Sequence, residues 1–153
     1  RVDWDGVIDT STVLSDFSSG SNARGVSSTD GTEFWASGGA GGIRYAQLGD
    51  TKSTNVTSGT TLENYRFISI FNQQLYVSTA SGSNPRVGTI GEGLPTTDGQ
   101  VYTGLAGMVT TGSAYGFQFF DLTTDVDGLD TLYVAFDDKE GLRKFSFDGK
   151  EWT

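Results

Sequence analysis

Two short segments of this chain place an asparagine two residues before an arginine: Asn22 and Arg24, then Asn64 and Arg66. Each pair opens a strand-like run. Guanidinium and amide groups together can form bidentate hydrogen bonds with a carboxylate or a sugar. If these strands line a channel, the four side chains are candidate ligand-binding residues. The alternative is that the two arginines form ion pairs between neighbouring repeats.

A second polar cluster lies in one loop, where four aspartates are candidate ligands for a metal ion. They are Asp121, Asp125, Asp127 and Asp130. Hard cations bind several oxygens from a flexible loop, so calcium is the one cofactor for which the sequence offers ligands. The spacing is not that of an EF-hand, because Gly128 comes early and Phe136 stands where the bidentate glutamate belongs. A solvated turn is the alternative.

A modification signal is present at Asn55, in the sequon Asn55-Val56-Thr57. It matters only in a eukaryotic secretory pathway. We expect Asn55 to be exposed, because it falls on the outer strand of a repeat.

Composition excludes several kinds of chemistry. The 153 residues contain no cysteine and no histidine, so the chain alone cannot build a histidine-based triad, a disulfide or the common zinc sites. The net charge of −9 repels phosphate backbones and anionic membrane surfaces, so we expect no nucleic-acid partner. No stretch has the length and apolarity of a transmembrane segment.

The elements that must position these residues recur three times. Each copy is an apolar strand followed by a turn and a second strand; the first strands are residues 33–37, 74–78 and 131–135, and the second are 43–46, 86–89 and 142–145. The first two copies are about 40 residues apart, which is typical of a four-stranded propeller blade. The sequence therefore predicts an all-β fold, a segment of a β-propeller.

The repeat also predicts the boundaries of the blades. The chain runs from the outer strand of a preceding blade (1–20) through blades 22–58 and 64–112 into an incomplete blade 114–153. About three blades cannot close a ring that usually needs four to eight, so we expect part of a larger ring. The alternative is a β-sandwich with accidental internal similarity.

Aromatic residues mark equivalent positions of the copies. Trp35 aligns with Tyr76 and Tyr133, which predicts packing between blades. Trp4 and Phe147 each precede an Asp-Gly turn, and this predicts a structural role for both.

These segments resemble a group of secreted bacterial β-propeller repeat proteins of unassigned activity. The resemblance covers nearly the whole chain and is carried by residues 30–35 with 41–45, by 72–81, and by 130–135 with 141–145. It implies further blades beyond those seen and an exported, multi-domain or surface-sorted polypeptide. Because the group has no defined activity, it implies no catalytic residues.

Three functions fit these observations. The first is a non-catalytic extracellular module, secreted or on the cell surface, that binds a carbohydrate, a protein or further blades of the same or another chain. The second is a hydrolase of esters, lactones or glycosides whose catalytic carboxylates lie partly in other blades. The third is a structural subunit that associates edge to edge, because an unclosed propeller leaves strand faces to be covered.

Overall fold

The computed structural model describes residues 1–59 and 62–153, and in that part the chain forms eleven strands and no helix. Accordingly, no described helix is long and apolar enough to cross a membrane. The strands are β1 (Ala23–Ser27), β2 (Glu33–Gly38), β3 (Arg44–Gln47), β4 (Thr54–Asn55), β5 (Tyr65–Phe71), β6 (Gln74–Thr79), β7 (Val87–Ile90), β8 (Tyr102–Gly104), β9 (Ala114–Phe120), β10 (Thr131–Phe136) and β11 (Leu142–Ser146). The all-β class predicted from the sequence is confirmed.

The strands form three antiparallel sheets, each built from strands consecutive in the chain. Sheet I has the order β1-β2-β3-β4 and sheet II the order β5-β6-β7-β8, while sheet III contains β9, β10 and β11. A fourth strand of sheet III is only begun, by a bridge between Phe147 and Trp152. Short turns at an Asp-Gly and an Asn-Gln dipeptide connect β1 to β2 and β5 to β6, as expected for hairpins.

The sheets pack on one another in chain order. One hydrophobic cluster joins Trp35 and Ile43 of sheet I to Ile68 and Leu75 of sheet II. A second joins Tyr76 of sheet II to the apolar residues of sheet III. Because side chains alternate between the two sides of a strand, each sheet has a forward face, turned towards the next sheet, and a backward face, turned towards the preceding one.

Each sheet carries a β-bulge near the start of its first strand. The register shifts between Ala23 and Gly25 in sheet I, between Tyr65 and Ile68 in sheet II, and between Val134 and Phe136 opposite the start of β9 in sheet III. A bulge increases local twist and leaves backbone groups without a ladder partner. Those groups become available for contacts with the neighbouring sheet.

The first twenty residues add only an isolated bridge, between Val2 and Ile8. The second half of this segment lies along sheet I, where the backbone N–H groups of Val13 and Ser15 donate to the carbonyls of Asp50 and Thr51. The carboxylate of Asp16 accepts from the backbone N–H and the hydroxyl of Ser53.

Candidate functional site

The register of the three sheets shows which residues of the first strands are equivalent. Ala23 pairs with Gly38, Tyr65 with Thr79, and Ala114 with Phe136. Gly38, Thr79 and Phe136 each lie three residues after the aligned aromatic residue of their own sheet, which is Trp35, Tyr76 or Tyr133. The equivalents of Arg24 are therefore Arg66 and Tyr115.

The shared tyrosine suggests an alignment of Ala114-Tyr115-Gly116 with Asn64-Tyr65-Arg66, and the register shows that this alignment is wrong by one residue. A tyrosine is present in both strands, at Tyr65 and Tyr115, and it conceals the shift. The structural equivalent of Tyr65 is Ala114, so the third sheet places an aromatic ring where the first two place a guanidinium.

Arg24 reaches from sheet I to sheet II. Its Nη1 donates to Oδ1 of Asn64 at 2.5 Å and to the backbone carbonyl of Tyr65 at 3.2 Å. The arginine is half-buried, and hydrogen bonds from a charged donor are stronger than neutral ones. This guanidinium therefore links neighbouring sheets.

Arg66 makes the equivalent connection from sheet II to sheet III. Its guanidinium carbon lies 5.1 Å from the centre of the Tyr115 ring, and its Nη1 lies 3.6 Å from Oδ2 of Asp137. Asp137 is largely exposed, so the ion pair itself contributes little, and the ring contact is the more shielded part.

The four residues predicted to bind a ligand do not form one site. Arg24 and Asn64 lie together, Arg66 contacts Asp137 and Tyr115, and Asn22 is exposed at the start of the first strand. The geometry thus favours contacts between neighbouring sheets over a shared ligand site. Of the two arginines, only Arg66 has the acidic partner expected for an ion pair.

The four aspartates of the 121–130 loop do not share one role. Asp130 is buried and accepts hydrogen bonds from the backbone N–H groups of Thr123 and Leu122 and from the Thr131 hydroxyl. These bonds, led by the one from Thr123, hold the pKa of Asp130 below its usual value. It serves as a cap of the loop.

The other three aspartates, Asp121, Asp125 and Asp127, are exposed. Among residues 1–59 and 62–153, no group of three acidic side chains is arranged to hold a metal ion. The calcium site therefore stays a sequence-based prediction without a preformed ligand set in the described chain.

Asn55 lies on the fourth strand of sheet I, as predicted, but it is half-buried rather than freely exposed. Its Oδ1 accepts from both the backbone N–H and the hydroxyl of Thr57 at 3.2 Å. Thr57 is itself buried, and its hydroxyl also accepts from the Ile43 N–H. The sequon is thus folded into the edge of the sheet.

Sequence reasoning missed the buried cation Arg86. It is 5% exposed, and its two terminal nitrogens donate to the carbonyls of Asn84 and Gly82 at 3.0 Å. Burial lowers its pKa. The charge is stabilised by carbonyl dipoles of the turn before β7, and it orders that turn.

Trp4 differs from the structural role predicted for it, because it is 94% exposed. The bridge between Val2 and Ile8 spans one residue more than the bridge between Phe147 and Trp152. Val2 is therefore the equivalent of Phe147, and Trp4 lies at the tip of the hairpin. The longer turn, which the Asp-Gly dipeptide does not reveal, is the physical reason.

Taken together, fold and contacts define an all-β protein of three antiparallel sheets in which polar residues of the first strands connect neighbouring sheets. No protein-family model matches the chain, and no curated protein matches it either. The similarity to secreted propeller-repeat proteins therefore remains an expectation from the sequence.

Proposed function

We propose that this chain is a non-catalytic segment of a β-propeller that serves binding or surface assembly. One repeated contact carries the proposal. The Ser37 hydroxyl of sheet I donates to the carbonyl of Arg66 in sheet II, and the equivalent Ser78 hydroxyl of sheet II donates to the carbonyl of Tyr115 in sheet III. Equivalent contacts between successive sheets are expected in a regular array, as in propellers and other repeat proteins.

The arrangement of the first strands supports a radial array. Sheet II touches sheet I mainly through β5 against β1 and β2, and sheet III touches sheet II mainly through β9 against β5 and β6. First strands that lie closest to one another are expected where sheets surround a common axis. In such an array Arg24 and Arg66 would lie near the central channel.

The lowered pKa values of two loop carboxylates suit the capping of turns and do not suit the general-acid role in hydrolysis. Hydrogen bonds lower the pKa of Asp130 and Asp148, in both cases from backbone N–H groups first. Lowered pKa values keep both groups ionised at neutral pH, whereas a general acid needs a raised pKa. These aspartates therefore act as turn caps.

A hydrolysis panel tests the non-catalytic assignment. The chain would be incubated with an aryl acetate, a γ-lactone and aryl glycosides, with heat-denatured protein as the control. We expect rates equal to the control for all three substrate classes. Saturable turnover proportional to protein concentration would contradict the assignment and favour a propeller hydrolase.

We further propose that the module is secreted or displayed on a cell surface and that its partners are carbohydrate, protein or further blades. The support is the acidic composition together with a surface rich in serine, threonine and glycine. A glycan array read with the labelled chain separates carbohydrate binding from assembly, because reproducible, competable binding is expected only for the former.

A further inference from the structure

The contact between sheets II and III centres on a pair of aromatic rings. On the forward face of sheet II, Phe71 and Tyr76 lie 6.0 Å apart in an edge-to-face arrangement. The ring of Phe119, from the backward face of sheet III, lies 5.1 Å from Phe71 and 4.7 Å from Tyr76. The pair thus receives an apolar side chain of the next sheet.

Sheet III repeats this pair on its own forward face. Phe120 and Tyr133 lie 5.9 Å apart, again edge to face. The register places Gln118 opposite Tyr133 and Ser69 opposite Tyr76, so Phe120 is the equivalent of Phe71. Within residues 1–59 and 62–153 no further sheet packs on this pair, and Phe120 is 40% exposed.

Other positions on this forward face are open as well. Leu142, the equivalent of buried Val87 in sheet II, is 70% exposed. Ala135 occupies the position that is equivalent to Ser37 and Ser78, the serines that bond to the next sheet, and it is exposed. The forward face of sheet III therefore has the apolar features of an interface that sheets I and II use internally.

The backward face of sheet I shows the complementary features. Its residues are equivalent to apolar residues that are buried in sheets II and III: Val26 to Ile68 and Phe117, Phe34 to Leu75 and Leu132, Ala36 to Val77 and Val134. They line a groove of about 310 Å³ together with Leu14. Val26 is 64% exposed, whereas Phe34 and Ala36 are half-buried, so the N-terminal segment covers only part of this face.

We propose that the forward face of sheet III docks on the backward face of sheet I of a second copy of this chain, head to tail. The docking repeats a contact that the fold already forms twice, once between sheets I and II and once between sheets II and III. Both faces carry one basic residue, Lys144 on the forward face and Arg1 at the groove, so the fit rests on apolar contact and not on charge. Two copies joined at both ends would present six sheets, within the usual range of closed propellers.

This inference rests on the part of the proposed function that concerns surface assembly. Sedimentation velocity on the chain and on three exposed-site variants tests it: Phe120→Asp for the forward face, Val26→Asp for the backward face, and Val101→Asp as the matched control. Val101 is 58% exposed and lies on neither face. Thermal unfolding of each variant verifies that it folds.

We expect the parent chain and the Val101→Asp variant to sediment with a mass of two or more times 16.3 kDa. Phe120→Asp and Val26→Asp, each alone, should sediment as single chains. An equimolar mixture of these two variants should recover a two-chain species, because one intact forward face meets one intact backward face. Recovery is specific to head-to-tail docking, since a symmetric contact would remain disrupted.

A parent chain that stays single at every concentration would overturn the docking proposal, as would association unaffected by Phe120→Asp or a mixture that remains single. None of these results would affect the non-catalytic assignment. Conversely, turnover in the hydrolysis panel would overturn that assignment and leave the sedimentation result standing.

Discussion

At the scale of single residues, polar groups that look available for a ligand in the sequence are used to connect neighbouring sheets. Arg24 donates to Asn64 and to a backbone carbonyl of sheet II, and Arg66 lies over the Tyr115 ring of sheet III. Arg24 donates from one nitrogen to two acceptors, and Arg66 stacks on a ring, so neither makes the bidentate contact that the sequence predicted for a ligand. Their partners are protein groups.

Replacing Arg24 by alanine should destabilise the chain by about 1–2 kcal/mol, because a charged hydrogen bond to Asn64 is lost. Urea denaturation measures the change, with Lys52→Ala at an exposed cation as the matched control. In the Arg24→Ala, Asn64→Ala double variant the two losses should be less than additive. A loss no larger than that of the control would show that the contact between sheets I and II does not depend on this arginine.

Asp130→Asn should give a pH-dependent loss of stability. The folded pKa of Asp130 is lowered, so its carboxylate stabilises the fold above the ordinary value of 3.8 and loses that effect as pH falls through the folded pKa. The variant should therefore melt at a lower temperature than the parent at neutral pH, and the difference should shrink as the pH is lowered below about 3.8.

Asp127→Asn, in the same loop, is the matched control for that experiment, because Asp127 is exposed. Its melting temperature should follow the parent at neutral pH. A neutral-pH difference for Asp130→Asn that persists unchanged in acid would indicate that shape, and not charge, holds the loop.

Some residue roles could be predicted from type and spacing and others could not. The equivalence of Trp35 and Tyr76 correctly indicated packing between sheets. The exposure of Trp4 was missed, because a single extra residue in its turn moves it from the strand to the tip. Burial of Arg86 was missed as well, since the carbonyls that surround it have no sequence signature.

At the scale of the elements, strands and turns were largely predictable because apolar runs and Asp-Gly or Asn-rich turns alternate along the chain. The fourth strand of sheet II is short and lies at Tyr102–Gly104. Register was not predictable in β9. A bulge shifts the pairing there, and bulges leave no fixed residue pattern.

The bulges explain the buried serines between sheets. In sheet II the N–H of Phe67 lies at the bulge and donates to Oγ of Ser78, while that hydroxyl donates to the Tyr115 carbonyl at 2.6 Å. One side chain thereby satisfies a group of its own sheet and one of the next. An apolar residue would leave both groups buried without a partner.

Ser78→Ala should therefore lower the free energy of unfolding by about 1–3 kcal/mol, the usual cost of unsatisfied buried groups. The loss for Ser37→Ala should be smaller, because its bond to the Arg66 carbonyl is long, at 3.5 Å. The matched control is Ala135→Ser at the exposed equivalent position of sheet III, which should be close to neutral. Equal effects of Ser78→Ala and the control in urea denaturation would exclude a role for this contact.

At the scale of the whole molecule, three sheets share one mode of contact, forward face on backward face. The repeat in the sequence indicated the number of sheets and their order, which the strand pairing confirms. Closure of the ring predicted from the same repeat depends on the angle between sheets and on what meets the two end faces.

The most direct test is a crystal or cryo-electron microscopy structure of the polypeptide as its source produces it. We predict a closed ring of four to eight sheets with the first strands around the axis, in which another sheet covers Phe120 and Tyr133. If that sheet belongs to a second copy, the head-to-tail docking is confirmed as well. An open stack with both end faces in solvent would contradict the propeller.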